Sequence, residues 1–205
     1  MIKSMSKNVV RMLAVGLLGG SVLTACGSAP KVPDDSFYRL NVSSLDVGAQ
    51  TLKGVIEVDR FAASGSLGNR PLLMSKSDSN AVTEYHYHFW IESPPELLQS
   101  ALISYLRSSK VAGRIVTPEM RVVPDYTIAG RVIRMETVRG SNPKGLVTFE
   151  LSLRREKDGK LLVLKEYNQE IPASQDRVGA GAVAIEKAVN QVFGAFIADI
   201  RKFGA

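Results

Sequence analysis

The sequence predicts an α+β fold: a single domain in which a largely antiparallel, mixed sheet carries two main helices on one face. Three observations lead there. Val147, Phe149, Leu151 and Leu153 alternate with Thr148, Glu150, Ser152 and Arg154, and that period of two belongs to a half-buried strand. Two other segments space their apolar residues three and four apart, the period of a helix buried along one side. The signals come in the order strands, helix, strands, helix, which segregates the helices onto one face of a sheet.

The folded domain is expected over residues 37–205, opening with Phe37-Tyr38-Arg39-Leu40 as a short strand. Residues 54–61 set Val55, Glu57 and Asp59 against Ile56, Val58 and Arg60, a second strand. Residues 62–70 are rich in Ser and Gly and read as a loop. Residues 71–74 and 82–90 are further strands, parted by the polar turn Ser77-Asp78-Ser79-Asn80. Ser93-Pro94-Pro95-Glu96 marks a helix start, with Ser at the N-cap, Pro in the first positions and Glu placed for a capping box. Leu97, Leu98, Ala101, Leu102, Tyr105 and Leu106 give this helix its buried stripe as far as about Ser109. Residues 111–116 and 126–136 are the next strands. Asp158-Gly159 folds the alternating strand back onto residues 161–171 as a hairpin. A second helix covers residues 176–202. Ile185, Val189, Val192, Phe193, Phe196, Ile197 and Ile200 form its stripe, with Glu186, Lys187, Asn190 and Asp199 off it.

The first 36 residues follow different rules. Lys3, Lys7 and Arg11 precede an apolar stretch from Met12 to Val22, which Leu23-Thr24-Ala25-Cys26 closes. A membrane-spanning helix needs about 20 apolar residues, so this stretch is too short to remain as an anchor. Cys26 is the only cysteine. The alternative, an ordinary secretory signal with an incidental cysteine, accounts less well for Leu, Thr and Ala at the three positions before it. The expectation is a lipoprotein signal peptide over residues 1–25, lipidation at Cys26, and a flexible linker over residues 26–36. The Cys26 sulfur then carries a diacylglycerol, and its amine an acyl chain such as palmitate. Two or three chains hold a protein firmly where one does so marginally. Disulfides and thiol catalysis are excluded together. Gly27, where enteric-type sorting uses Asp for inner-membrane retention, points to the periplasmic face of the outer membrane; sorting rules differ among bacteria, which keeps the inner membrane as the alternative address.

The net charge of +6 falls to +3 once Lys3, Lys7 and Arg11 leave with the signal. That charge is modest and forms no basic block, so no nucleic-acid partner is implied. His86 and His88, with Glu84, share one face of a regular strand, yet two histidines are too few ligands for a zinc site. Gly179-Ala180-Gly181-Ala182-Val183-Ala184 fits G-x-G-x-x-A. It lacks the strand before it and the acidic strand tip after it that dinucleotide binding needs, and reads instead as a helix turn packed closely on the sheet. No nucleophile elbow, phosphate-binding loop or metalloprotease motif occurs. The sequence points to no metal, no cofactor and no enzymatic activity.

One segment is distinctive: Tyr85-His86-Tyr87-His88-Phe89-Trp90-Ile91-Glu92-Ser93-Pro94-Pro95-Glu96-Leu97-Leu98. An aromatic strand ending in Trp and followed by a Pro-started helix resembles the ABC-type transport auxiliary lipoprotein family, the PqiC-like lipoproteins. The lipobox, the strand from Phe37 to Leu40, the strand entry Gly68-Asn69-Arg70-Pro71-Leu72-Leu73-Met74, the Asp125-Tyr126 strand, the hairpin and the final helix are similar to that family in the same order. The resemblance implies a periplasmic accessory of an MCE-type lipid transport system. Its partners would be an MCE protein and an ABC permease and ATPase, with phospholipid as cargo and a homo-oligomeric ring as the assembled form. The family offers no catalytic set to carry over. Exposed aromatic residues would then mark the partner surface, with Tyr85, Tyr87, Phe89, Trp90 and Arg70 as candidates, and packing in the core is the alternative reading for at least half of them. Two other readings stay open: a periplasmic module that binds lipid inside the domain, and an assembly factor or pilotin for another envelope complex.

Overall fold

In the computed structural model, which describes residues 32–43 and 48–203, eight strands and two long helices follow one another. The signal segment, Cys26 and the linker as far as residue 31 lie outside the described residues. The strands are β1 (Ser36–Tyr38), β2 (Leu52–Val58), β3 (Pro71–Lys76), β4 (Val82–Trp90), β5 (Ala112–Val116), β6 (Tyr126–Arg139), β7 (Lys144–Arg155) and β8 (Lys160–Pro172). Helix α1 (Pro94–Ser109) lies between β4 and β5, and helix α2 (Val178–Arg201) ends the chain. A 3-10 turn at Gly65–Gly68 interrupts the expected loop before β3.

The longest strand, β6, organises the sheet. Along one edge β7 pairs with it antiparallel from Tyr126 to Val138, and β8 pairs with β7. Along the other edge β2 and β3 lie end to end. Ile56 to Val58 pair with Tyr126 to Ile128, and Leu73 to Lys76 pair with Glu136 to Arg139, both parallel. Ala62 closes the gap between them: its amide donates to the Gly130 carbonyl at 2.8 Å, and its carbonyl accepts from the Val132 amide at 2.8 Å. Beyond β2 lies β5, parallel, and beyond β3 lie β4, antiparallel, and then β1, parallel to β4. The sheet is mixed.

The alternation on β7 has its cause in what it faces. Val147, Phe149, Leu151 and Leu153 are buried, together with Val189, Val192, Phe193 and Phe196 of α2. Phe61 meets Phe149 edge to face at 6.1 Å, and Tyr105 of α1 meets Phe193 of α2 in the same way at 5.8 Å. A buried Leu, Val or Phe contributes about 1.5–3 kcal/mol, so these two stripes are the main reason the helices stay on the sheet. The G-x-G-x-x-A turn packs closely: a Cβ at Gly181 would stand 2.5 Å from Thr137 Cγ2, and one at Gly145 would stand 2.4 Å from the Ile185 amide nitrogen.

Helix α1 occupies its expected span, and Lys110, at φ 54°, ends it in the left-handed conformation. The capping box forms differently from expectation. Ser93 Oγ donates to the Glu96 carboxylate at 2.8 Å instead of accepting from a backbone amide. Arg60, 2.9 Å from the same carboxylate, holds Glu96 toward β2. Helix α2 starts at Val178, two residues later than expected, because Asp176 is engaged by Arg139 at the end of β6.

Candidate partner surface

Strand β4 carries the aromatic residues, and it is not regular. Leu73 pairs with Glu84 and Pro71 pairs with Phe89, so two steps along β3 correspond to five along β4. A bulge absorbs the difference and breaks the alternation. Tyr85 and Trp90, of opposite parity, therefore both turn into the core, at 9% and 1% exposure. This removes Tyr85 and Trp90 from the candidate partner surface and gives them the alternative, core-packing role. Tyr85 Oη lies 3.2 Å from Thr137 Oγ1 and accepts from Arg139 Nη1 at 3.2 Å. Arg139 also pairs with the Asp176 carboxylate, and that hydrogen bond holds the carboxyl below its usual range. Tyr85 thus locks β4 to β6 and to the start of α2.

His88 does not join His86 in a ligand pair. Its Nδ1 lies 2.9 Å from Tyr38 Oη, and its ring meets Tyr85 edge to face at 5.7 Å. Burial, and then the neighbouring Tyr85 phenol, raise the Tyr38 pKa, so this hydroxyl stays protonated. The bond fastens β1 to β4. Among the described residues no group of three or more His, Cys, Asp or Glu could hold a metal ion.

Tyr87 and Arg70 lie at the surface, Phe89 is half-buried beside them, and the structure adds the exposed Phe37. Phe37 pairs with Phe89 across β1 and β4, their rings 5.8 Å apart. The Arg70 guanidinium sits 5.2 Å from the centre of the Phe37 ring. Its position is fixed: Nε donates to the Trp90 carbonyl at 3.2 Å, and the Trp90 amide donates to the Arg70 carbonyl at 2.7 Å. Arg70 and Trp90 therefore work as frame and Phe37 as the presented ring. Sequence reasoning missed Phe37 because its partner is 52 residues away, and only parallel pairing brings the two together.

A second apolar feature was also missed. Met120, Val122 and Val123 are exposed, Val123 at 88%, in the loop between β5 and β6. The signal was available, since three apolar residues stand here between Pro118 and Pro124. Strand β1 runs antiparallel to β6, so the chain enters β1 from the end of the sheet where β6 finishes, whereas this loop stands where β6 begins. The larger clefts are open surface grooves. Two have volumes of about 810 Å³ each. A smaller one of 450 Å³ lies against Leu73, Ser75 and Glu136, and the buried Glu136 carboxylate accepts there from Ser75 Oγ at 3.1 Å and pairs with Arg134.

A model of the family described as "ABC-type transport auxiliary lipoprotein component" matches residues 38–197. No curated protein sequence matches. Among solved structures, protein XCC0632 from Xanthomonas campestris, of the DUF330 family, is similar with a TM-score of 0.70 at 17% identity, covering 79% of this chain and 92% of that one. An uncharacterized protein is similar with a TM-score of 0.66 at 15% identity, covering 82% of this chain and 99% of that one. At such identities the likeness is one of fold.

Proposed function

Because the chain belongs to the ABC-type transport auxiliary lipoprotein family, we propose that it is a non-catalytic, lipid-anchored periplasmic component that docks an MCE-type phospholipid transporter at the outer membrane. The family match across 38–197 carries this reading. The Leu23-Thr24-Ala25-Cys26 signal supports it by supplying the anchor, with Cys26 as the acylated residue. Arg139 with Asp176 and Lys165 with Asp199 form pairs that hold the fold together.

Two apolar surfaces are available for docking. Phe37, Tyr87 and Phe89 with Arg70 lie beside the point where the anchored chain enters the fold. Met120, Val122 and Val123 lie in the loop where β6 begins, away from the stretch of β6 level with Phe37, and we assign the transporter contact to them. Phe149, Phe193 and Phe196 are buried between the helices and the sheet. Affinity capture of the full-length protein from detergent-solubilised membranes tests the reading. Recovery of an MCE protein together with its permease and ATPase is the expected result, and their consistent absence would overturn it.

A further inference from the structure

Exposed apolar side chains gather where the chain enters the fold. Phe37 is 52% exposed, and Tyr87 and Ile91 are each 37% exposed. All three lie on, or directly after, the paired strands β1 and β4. Phe37 and Phe89 turn away from Trp90 and the core, as alternate residues on their strands must. The Ile91 amide donates to the Tyr38 carbonyl at 2.8 Å, so the residue that extends this face is held by β1 itself. Rings, a branched aliphatic and a guanidinium are the side chains that settle at a membrane–water boundary: the rings sit at headgroup level, and arginine keeps its charge in the polar layer.

The distance along the chain identifies what this face meets. Ser36 opens β1 and is ten residues beyond Cys26. Ten residues span at most about 35 Å when fully extended, so acylation at Cys26 confines β1 to that distance from a bilayer. Confinement makes the second contact intramolecular, and an effective concentration in the millimolar range lets even a weak surface engage.

We infer that the exposed Phe37, Tyr87 and Ile91, backed by the half-buried Phe89 and framed by Arg70, dock onto the phospholipid interface of the membrane that carries the anchor. The inference rests on the reading that Cys26 is acylated. The anchor alone leaves the domain free to tumble, whereas this face fixes its orientation. With β1 and β4 against the lipid, the Met120–Val123 loop stands at the far end of β6, open to a protein.

The test uses full-length, acylated protein in vesicles of phosphatidylethanolamine and phosphatidylglycerol. A photoreactive p-benzoylphenylalanine replaces Phe37 in one sample. In a second it replaces Val183, which is 51% exposed on α2 and lies off its buried stripe. Mass spectrometry then reads both the adducts and the N-terminal peptide. Phospholipid adducts should be roughly tenfold more abundant at position 37 than at 183, because a docked face stays in lipid while a tethered one only visits it. Equal yields at the two positions overturn the inference, as does a position 37 that couples only to protein in native membranes. An N-terminal peptide without lipid, combined with lipid adducts at 37, would remove the anchor and leave the docking face. A lipid-bearing peptide without preference for 37 would do the reverse.

Discussion

Gly181 stands directly over Thr137, with room for a hydrogen where any other residue would place a methyl group 2.5 Å from the Thr137 Cγ2. The first turns of α2 can approach β6 only because of this pairing. Gly181→Ala should therefore destabilise the fold by about 1–3 kcal/mol, the usual range for an overpacked core. Thr137→Ser removes the opposing methyl and keeps the hydroxyl beside Tyr85, so it should restore most of the loss. Denaturant melts of the four members of the double-mutant cycle measure the coupling. Simple additivity would mean that the two residues do not oppose each other.

Gly145→Ala should cost more than Gly181→Ala. A Cβ there meets the Ile185 amide nitrogen at 2.4 Å and the Ala184 carbonyl carbon at 2.6 Å. These are backbone atoms that cannot rotate away, so the helix itself must lift. We expect a loss of about 3 kcal/mol or more, at or above the upper end of overpacking costs. Thermal melts of the two variants rank them, and a smaller loss at 145 would contradict the close approach of α2 to β7.

Neighbouring aromatics on β4 should behave oppositely. Trp90→Ala should cost about 3–5 kcal/mol, as large core truncations do. Tyr87→Ala should fall within about 0.5 kcal/mol of wild type, as surface substitutions do. Urea melts followed by far-ultraviolet circular dichroism compare them without needing the tryptophan signal. Similar losses at both positions would refute the bulge that separates them.

Asp199 accepts hydrogen bonds from Lys202, Lys165 and Tyr167, and these bonds, Lys202 first, hold its pKa down to about 2. An unfolded Asp titrates near 3.9. The pKa is depressed by folding, so the stability it contributes is fully present above about pH 4 and disappears as the pH falls to about 2. Carboxyl-carbon NMR of the folded protein should find Asp199 titrating near pH 2. Lys202→Ala should move its pKa upward. No movement would reassign the cause to Lys165 and Tyr167.

Val122→Asp combined with Val123→Asp should leave the thermal midpoint nearly unchanged, since exposed substitutions usually stay within about 0.5 kcal/mol. The same variant should recover markedly less MCE protein and permease than wild type when captured from solubilised membranes. Undiminished recovery would remove this loop from the transporter contact.

Local signals located several elements well. Ser93-Pro94-Pro95 fixed where α1 begins, since two prolines are tolerated only in a first turn, and the Leu97–Leu106 stripe fixed its buried face. The alternation from Val147 to Leu153 identified the central strand, and Asp158-Gly159 its turn, where Gly159 takes φ 67°. Parallel pairing was not legible: nothing near Phe37 indicates Phe89, and nothing near Leu73 indicates Glu136, because both registers are set by packing between distant segments. The candidate surface was misread for the same reason. A regular strand would place Tyr85 with Tyr87 and Trp90 with His88, and the β4 bulge, which depends on β3, sends Tyr85 and Trp90 inward together.

The end-to-end seating of β2 and β3 on one edge of β6 has a mechanical consequence. Tension applied at Ser36 passes through the hydrogen bonds of β4 and β3 and reaches β6 only in its final stretch, from Glu136 to Arg139. Strands β2 and β5 sit toward the opposite end of that beam and pair with neither β3 nor β4. The domain is built like a bracket: one arm takes the strain of the tether, while the other, where the Met120–Val123 loop projects, stays in shape.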